Sequence, residues 1–432
     1  MVDSVISKQP ITGLSSAPRR KDLWARKTIL KQLAPLQWGK INITENHQTI
    51  TYGAAESPDS ETVNVQVLSS RFYSYLMFYG NIGAAEAYIL GFWDCSDLTL
   101  LIRILIRNQR LLEYVEGSWA YLTIPLQRVF HWLHRNTKSG SQANIAAHYD
   151  LGNDFYSLFL DETMTYSCNI FESTSVSLEQ AAATKYDRLC RKLRLSPDDH
   201  VLEIGAGWGG FAIYAAENFG CKITTTTISS QQYEWAKNLV AKRCLMDRID
   251  LHLKDYRDLS GKYDKLVSIE MIEAVGHEFI KTYFQRCSRL LKPDGMMALQ
   301  AITIKDQFYK QHVRTVDFIK RYIFPGSCLT SVTSMCQAAT EATDLRLFHM
   351  EDITPHYAMT LRCWRDRFLS NLDKIRKLGF PETFIRMWEY YFGYCEGAFT
   401  ERYIGDVQLI FAKPLCREEP ILPVLSSSEM DS

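Results

Sequence analysis

The chain has 432 residues, with 49 basic side chains against 49 acidic ones and no net charge. That balance argues against a bulk electrostatic nucleic-acid binder, and the length suits two domains or one with large insertions. Eleven scattered cysteines, with no Cys-x-x-Cys pair, fit neither a disulfide framework nor a zinc site and point to a reducing cytoplasm.

The first 20 residues are polar, lack the charged and apolar regions of a secretory leader, and are expected to be disordered. Leu23 to Trp38 alternates Leu23, Leu30 and Leu33 with Arg26, Lys27 and Lys31, the pattern of a basic amphipathic helix. Such a helix rests either on anionic lipid or on its own protein core. Period-two alternation over Lys40 to Tyr52 and Glu61 to Leu68 predicts strands, and Arg71 to Tyr79, Gly83 to Leu90 and Leu98 to Asn108 read as helices. Tyr73 to Trp93 is the one stretch resembling a membrane span, but Asn81, Glu86 and several glycines interrupt it. A mid-bilayer carboxylate costs about 2.5 to 3.5 kcal/mol, so a packed helix is expected instead.

Trp119 to Arg135 is apolar and aromatic, broken by Pro125, and the polar Asn136 to Ser141 marks a domain boundary. A smaller α+β domain over 21–138 is thus expected before a second domain over 143–414, with a loose tail over 415–432. In the second domain Ser177 and Gln180 form a capping box, and Ser196-Pro197-Asp198 turns into Val201-Leu-Glu203-Ile-Gly205-Ala-Gly207-Trp-Gly209-Gly210. This is a buried strand, a glycine turn and a helix over Phe211 to Phe219, an arrangement whose free N–H groups hold nucleotide-like ligands. A dinucleotide site would show Gly-x-Gly-x-x-Gly and an acid ending the second strand. Here the spacing is Gly-x-Gly-x-Gly, and the second strand, Cys221 to Thr227, ends in threonines.

Asp255 then follows the strand-like Ile249 to Leu253, Tyr263 to Glu270 reads as a fourth strand, and Leu290 to Gly295 leads into a fifth. The alternation predicts an α/β doubly wound sheet. The order of glycine loop, Asp255 and Leu-Lys-Pro-Asp-Gly turn resembles a class I S-adenosylmethionine-dependent methyltransferase. Beyond Ile304, Ser331 to Ala342 is helical, Leu345 to Met350 and Val407 to Phe411 read as closing strands, and the aromatic Tyr357 to Leu378 and Pro381 to Phe392 read as a helical cover over a substrate pocket.

The motif set as a whole resembles the cyclopropane fatty acid synthase family, which includes the mycolic acid cyclopropane synthases. It is carried by His148-Tyr-Asp150-Leu-Gly-Asn-Asp, Thr165-Tyr-Ser-Cys168, the Val201 loop, Thr227-Ile-Ser-Ser-Gln-Gln232, Asp255-Tyr-Arg-Asp-Leu259, Met271-Ile-Glu-Ala-Val-Gly276, Tyr322-Ile-Phe-Pro-Gly326 and His356-Tyr-Ala-Met-Thr-Leu361. Gly83-Ala-Ala-Glu86-Ala-Tyr88, Gly91-Phe-Trp-Asp-Cys95 and Asp97-Leu98 resemble that family's N-terminal lipid-binding module. The resemblance implies methyl(ene) transfer from S-adenosyl-L-methionine to the cis double bond of an unsaturated acyl chain in a membrane phospholipid. The product is a cyclopropane ring or, alternatively, a methylene or methyl branch; a non-catalytic lipid-binding protein on the same fold is the rival from another class. The family uses bound bicarbonate as the base. Its positions here are Cys168, Glu273, Ile302 through its backbone, Tyr357, and Gln300 where well-known members have histidine; glutamine cannot carry a proton away. Cofactor positions implied by the resemblance are Tyr166, Ser167, Glu203, Gly205, Gly207, Gly209, Thr227, Gln232, Asp255 and Tyr256. The expected setting is the cytoplasmic face of a membrane, peripheral, with no nucleic-acid partner; a homodimer stays open.

Overall fold

The computed structural model describes residues 18–53, 61–108 and 151–422. The expected disordered start, the boundary near 138–143, and His148 and Asp150 therefore lie outside the described residues, apart from 18–20.

Helix α1 (Arg20–Leu33) opens on an Arg19 and Asp22 capping pair and buries Ala25, Ile29 and Leu33. Its heptad-like spacing puts those residues on one stripe, so the helix packs on its own core. Lys21, Leu23, Trp24, Lys27 and Lys31 remain exposed on the other side. The alternating stretch after it is a hairpin rather than one strand: β1 (Lys40–Glu45) and β2 (Gln48–Gly53) pair antiparallel. Asn46 and His47 make the two-residue turn with φ of 49° and 63°, the left-handed pair that matches strand twist. β3 (Thr62–Val67) lies parallel to β1 and antiparallel to the short β4 (Trp93–Cys95), giving a sheet of order β2-β1-β3-β4.

The two helices expected over Arg71 to Leu90 are one kinked element, α2 (Arg71–Ile89), with Gly80 at φ 56° and ψ −135°. A Cβ at Gly83 would lie 2.0 Å from the Tyr75 carbonyl oxygen. The glycines thus allow a fold-back that any side chain would block. α3 (Leu98–Arg107) is capped by Asp97, whose carboxylate accepts from the Leu100 N–H.

The large sheet begins at β5 (His200–Ile204), preceded by α4 (Leu178–Lys192) with its Ser177/Gln180 capping box in place. The helices α5 (Gly210–Phe219), α6 (Ser230–Lys242) and α7 (Ile280–Leu290) alternate with β6 (Lys222–Thr227), β7 (Ile249–Leu253), β8 (Tyr263–Ile269) and β9 (Leu291–Ile304). After α8 (Val332–Ala342), β10 (Arg346–Asp352), α9 (Thr354–Ser370), α10 (Glu382–Thr400) and β11 (Ile404–Ala412) complete a seven-stranded sheet of order β10-β11-β9-β8-β5-β6-β7. Strands β5 to β9 run parallel, whereas β11 is antiparallel to both neighbours. The mostly parallel sheet buries both faces, which is why Val201, Leu202, Glu203 and Ile204 are all buried in succession.

The single helix expected over Tyr357 to Leu378 breaks at Asn371 into α9 and a short helix. α10 is the larger aromatic cover, and it joins the small sheet's module to the large one. At Gly393 and Gly397 a Cβ would meet Leu98 and Ile102 of α3 at 2.7 and 2.9 Å, so two small residues one turn apart let the helices touch. Trp388, Tyr390, Tyr391, Phe392 and Phe399 are buried in one apolar cluster with residues of both modules. The expected loose tail is partly docked: Cys416 is buried, and Arg194 holds Glu418 and the Glu419 carbonyl. Residues 423–432 lie outside the described ones.

Candidate active site

A cavity of about 860 Å³ runs from the glycine loop past the carboxyl ends of β5 and β8 and out between α2 and α10, where ligands of open α/β sheets sit. At its cofactor end the Gly205 and Ala206 N–H groups donate to the Thr226 carbonyl oxygen at 3.0 and 2.8 Å, pinning the loop to β6. Gly205, Gly207 and Gly209 have φ of 95°, 51° and 93°. Gly207 has open space where a Cβ would stand. That leaves the backbone bare toward the cavity, as close approach of a ligand requires. Glu203 is buried under the loop with Thr225 Oγ1 donating to it, and burial pushes its carboxyl up to about 8.

Thr227 Oγ1 donates to Gln232 Oε1 at 2.8 Å and accepts from the Ser229 N–H. The hydroxyl and amide that replace the strand-end acid are thereby held as a unit. Asp255 caps the turn after β7 and is gripped by Arg257 at 2.6 Å, while Tyr256 is buried edge-on against Tyr283. Tyr166 and Ser167 lie in the same wall; Tyr166 packs on Trp364 and Tyr156, and Ser167 Oγ accepts from Lys185 Nζ at 2.7 Å. All ten expected cofactor residues except Gly209 line the cavity. Gly209 stands behind the loop, where its Cβ would press on Ala236.

The reacting end is built around a residue that the family motifs did not single out. Glu270 follows β8 with φ 48°, an uncommon backbone for a side chain with a Cβ and a sign of functional constraint. Its Oε1 accepts from the Cys168 N–H and from Gln300 Nε2, both at 2.8 Å, and its Oε2 accepts from the Tyr357 hydroxyl at 2.7 Å. Glu273 stands beside it: Oε1 accepts from the Ile302 N–H at 2.6 Å, while Oε2 is buried without a partner. Burial first, and then the charge of Glu270, push the Glu273 carboxyl up to about 8. A Cβ on Gly205 would sit 3.0 Å from Cγ of Met271, the residue after Glu270, so the glycine loop and the acid share one corner.

Cys168, Glu273, Gln300, Ile302 and Tyr357 are thus brought together as expected, with two differences. Cys168 reaches the site through its amide; its thiol points to the Asn169 and Ile353 carbonyls at 3.3 and 3.9 Å. Burial raises that thiol well above its ordinary value, so no thiolate forms. Bicarbonate, in turn, does not fit, because the amide, the Gln300 side chain and the Tyr357 hydroxyl that would hold it already bind the Glu270 carboxylate, an sp² group of the same shape. The overlooked signal is a second glutamate three residues before Glu273, at the carboxyl end of β8.

Lys185 is a further residue that the motifs did not single out, whereas Glu86 belongs to one of them. Lys185 is fully buried on α4, and burial lowers its ammonium to about 8 against the pull of Glu270, Asp161 and Asp406. Glu86 of α2 accepts from the Tyr322 hydroxyl at 2.5 Å and pairs with Arg321 at 3.3 Å, so two of the family motifs brace each other across the modules. Among the described residues no helix is long and apolar enough to cross a membrane, and no cluster of metal-ligating side chains occurs.

The family model described as mycolic acid cyclopropane synthetase matches residues 136–409. The tuberculostearic acid methyltransferase UfaA1 of Mycobacterium tuberculosis is 38% identical over 360 residues, 79% of this chain and 80% of that protein. The cyclopropane-fatty-acyl-phospholipid synthase of Escherichia coli K12 is 34% identical over 356 residues, covering 82% and 89%. Among solved structures, mycolic acid cyclopropane synthase CmaA1, complexed with SAH and CTAB, superposes with a TM-score of 0.60 at 31% identity, covering 63% of this chain and 98% of that one. With its seven-stranded sheet, glycine loop and converging motifs, the chain belongs to the mycolic acid cyclopropane synthetase family of S-adenosylmethionine-dependent methyltransferases.

Proposed function

We propose that this protein transfers a methyl(ene) group from S-adenosyl-L-methionine to the cis double bond of an unsaturated fatty acyl chain of a membrane phospholipid. The observation that carries this reading is the Glu270 carboxylate, fixed by three donors in the wall of a cavity that joins the glycine loop to an aromatic cover. The bare glycine loop, Thr227 and Gln232 fit the cofactor, which when bound supplies the electrophilic methyl. An alkene that accepts a methyl becomes a cation, and Tyr166, Tyr357 and Tyr391 line the cavity with aromatic rings that suit such a charge.

Glu270 then removes a proton from the added methyl. It takes the place that bicarbonate has in the family resemblance. Losing that proton directly closes a cyclopropane ring; losing it after a hydride shift leaves a methylene branch. The name of the UfaA1 relative keeps the branched product in contention beside the ring. The domain division at 138–143 and the lipid-facing role of the first module belong to the same proposal. Its support is that Tyr79, just before the α2 kink, is 54% exposed and lines the cavity mouth, while the neighbouring Phe78 packs on Trp24 of the basic α1 face. That face suits an anionic, cytoplasmic membrane surface.

The test is expression in a host that lacks its own synthase, followed by gas chromatography and mass spectrometry of membrane fatty acids, beside Glu270→Gln. A gain of one CH₂ per modified chain that disappears in the variant is expected, and derivatisation separates ring from branch. No new acyl species, with S-adenosylmethionine binding intact, would overturn the reading and favour a non-catalytic lipid binder.

A further inference from the structure

Asp406 of β11 belongs to none of the family motifs and does not line the cavity, yet its carboxyl is fully buried directly behind Glu270. β11 pairs with β9 so that Asp406 stands opposite Ile302 and Gln408 opposite Gln300. Its backbone is locked: the Asp406 N–H donates to Thr354 Oγ1 at 3.0 Å, and its carbonyl accepts from the Ile353 N–H at 2.9 Å. Gln300 Nε2 reaches both acids, Glu270 Oε1 at 2.8 Å and Asp406 Oδ2 at 3.4 Å, while Gln408 Nε2 holds Gln300 Oε1 at 2.9 Å and fixes the amide's orientation. One amide nitrogen thus lies within hydrogen-bond reach of both carboxyls, and Asp406 Oδ1 has no hydrogen-bond partner.

A second charge on two buried carboxylates that share one amide donor is strongly disfavoured. One amide donor shared between them does not neutralise the second charge. Among the described residues the other ionisable groups facing the pair include Glu273, the Cys168 thiol, the Tyr357 and Tyr391 hydroxyls and Lys185. Of these only Lys185 is a cation, enough to balance one carboxylate.

We propose that Glu270 and Asp406 hold one proton between them, with Asp406 keeping it at rest so that Glu270 alone faces the substrate as a carboxylate. Asp406 acts through Glu270 and is a positioning residue. The inference rests on the methyl-transfer reading for its consequence. A C–H bond of the added methyl breaks, its electron pair closes the new carbon–carbon bond, and the proton bonds to a Glu270 oxygen. The substrate goes from cation to neutral while the pair goes from one negative charge to none and from one proton to two. The extra proton returns to water when product leaves. Burial and the Glu270 charge raise the Asp406 carboxyl well above its usual range, in keeping with this assignment.

The test is infrared titration of the purified full-length protein, following the C=O stretch of protonated carboxyls against pH. At neutral pH a protonated-carboxyl band that Asp406→Asn deletes is expected, with Glu273→Gln and Glu203→Gln identifying the bands of the other two acids that burial raises to about 8. In Glu270→Gln the Asp406 band should titrate away lower by about one pH unit or more, because the neighbouring charge is gone. If Asp406→Asn does not fold, Glu270→Gln reads the same coupling from the other side. An unchanged band set in Asp406→Asn, or an unmoved titration in Glu270→Gln, would overturn the shared proton, as would a purely structural Asp406 whose replacement costs stability alone. No turnover enters this measurement, so its failure and the failure of the acyl-methylation reading are distinguishable.

Discussion

The two ends of the cavity are made in opposite ways. The cofactor end is almost wholly local: Glu203 to Gly210 supplies the loop, and Thr227 to Gln232 and Asp255 to Tyr256 are short runs after consecutive parallel strands. The reacting end draws one or two groups from each of five distant segments, around Cys168, Glu270, Gln300, Tyr357 and Asp406, and ties them by side-chain hydrogen bonds. Backbone conformation builds the first and tertiary convergence builds the second. They should therefore fail differently when perturbed.

The largest expected effect is at the reacting end. Glu270→Gln keeps the shape and the acceptor to Tyr357 but removes the base, and loss of general base catalysis costs about 10² to 10⁴-fold in kcat. S-adenosylmethionine affinity, measured by calorimetry, should stay within the wild-type range, since no loop atom changes. Loss of both together would erase the contrast between the ends. The complementary variant is Gly205→Val. At φ 95°, with Met271 Cγ 3.0 Å from the added Cβ, a branched side chain adds roughly 1–2 kcal/mol of backbone strain and a clash. Cofactor affinity, measured by calorimetry, should fall about tenfold or more.

Those two variants also mark what was legible in sequence. The loop was readable because its glycines, their spacing and the strand before them are contiguous and their conformational demand is a property of each residue. The absent acid on the second strand was readable for the same reason; Thr227 and Gln232 stand at that strand's end, hydrogen-bonded to each other in the cavity wall. Glu270 was not, because its importance lies in partners 30 to 102 residues away. Its place three residues before Glu273 was the one local sign, and only the left-handed turn at the end of β8 gives that sign a meaning. The Gly80 kink was missed on the same ground: a single glycine signals permission to bend, and only packing of Gly83 on Tyr75 decides that it does.

Tyr357→Phe removes one hydrogen bond to a carboxylate while leaving the ring stacked on Phe399 at 4.3 Å. Such a bond is worth about 1.5–3 kcal/mol, so kcat should drop roughly ten- to hundredfold with cofactor affinity retained. A smaller effect is expected in stability against pH. The Glu273 carboxyl has its pKa raised from 4.5 to about 8 by burial, so the folded state holds that proton more tightly than the unfolded chain. Its contribution is fully present below about pH 4.5 and is lost as pH rises through about 8. Thermal unfolding of Glu273→Gln should therefore show a shallower loss of Tm across that window than wild type. Parallel curves would mean that Glu273 is ionised in the folded protein.

The smallest effect separates family resemblance from geometry at a single residue. If Cys168 served through its thiol, removing the sulfur would disable the reacting end nearly as Glu270→Gln does. The structure has the Cys168 amide donating to Glu270 while Sγ faces the Asn169 and Ile353 carbonyls. Cys168→Ala preserves the amide and leaves a void the size of one sulfur, costing about 1 kcal/mol of stability. Its kcat should fall by no more than about threefold, since the donor that fixes the base is untouched and only the packing behind Asp406 loosens. A fall of two decades at unchanged Tm would place the sulfur itself in the reaction and return the reacting end to a motif-borne design like the glycine loop.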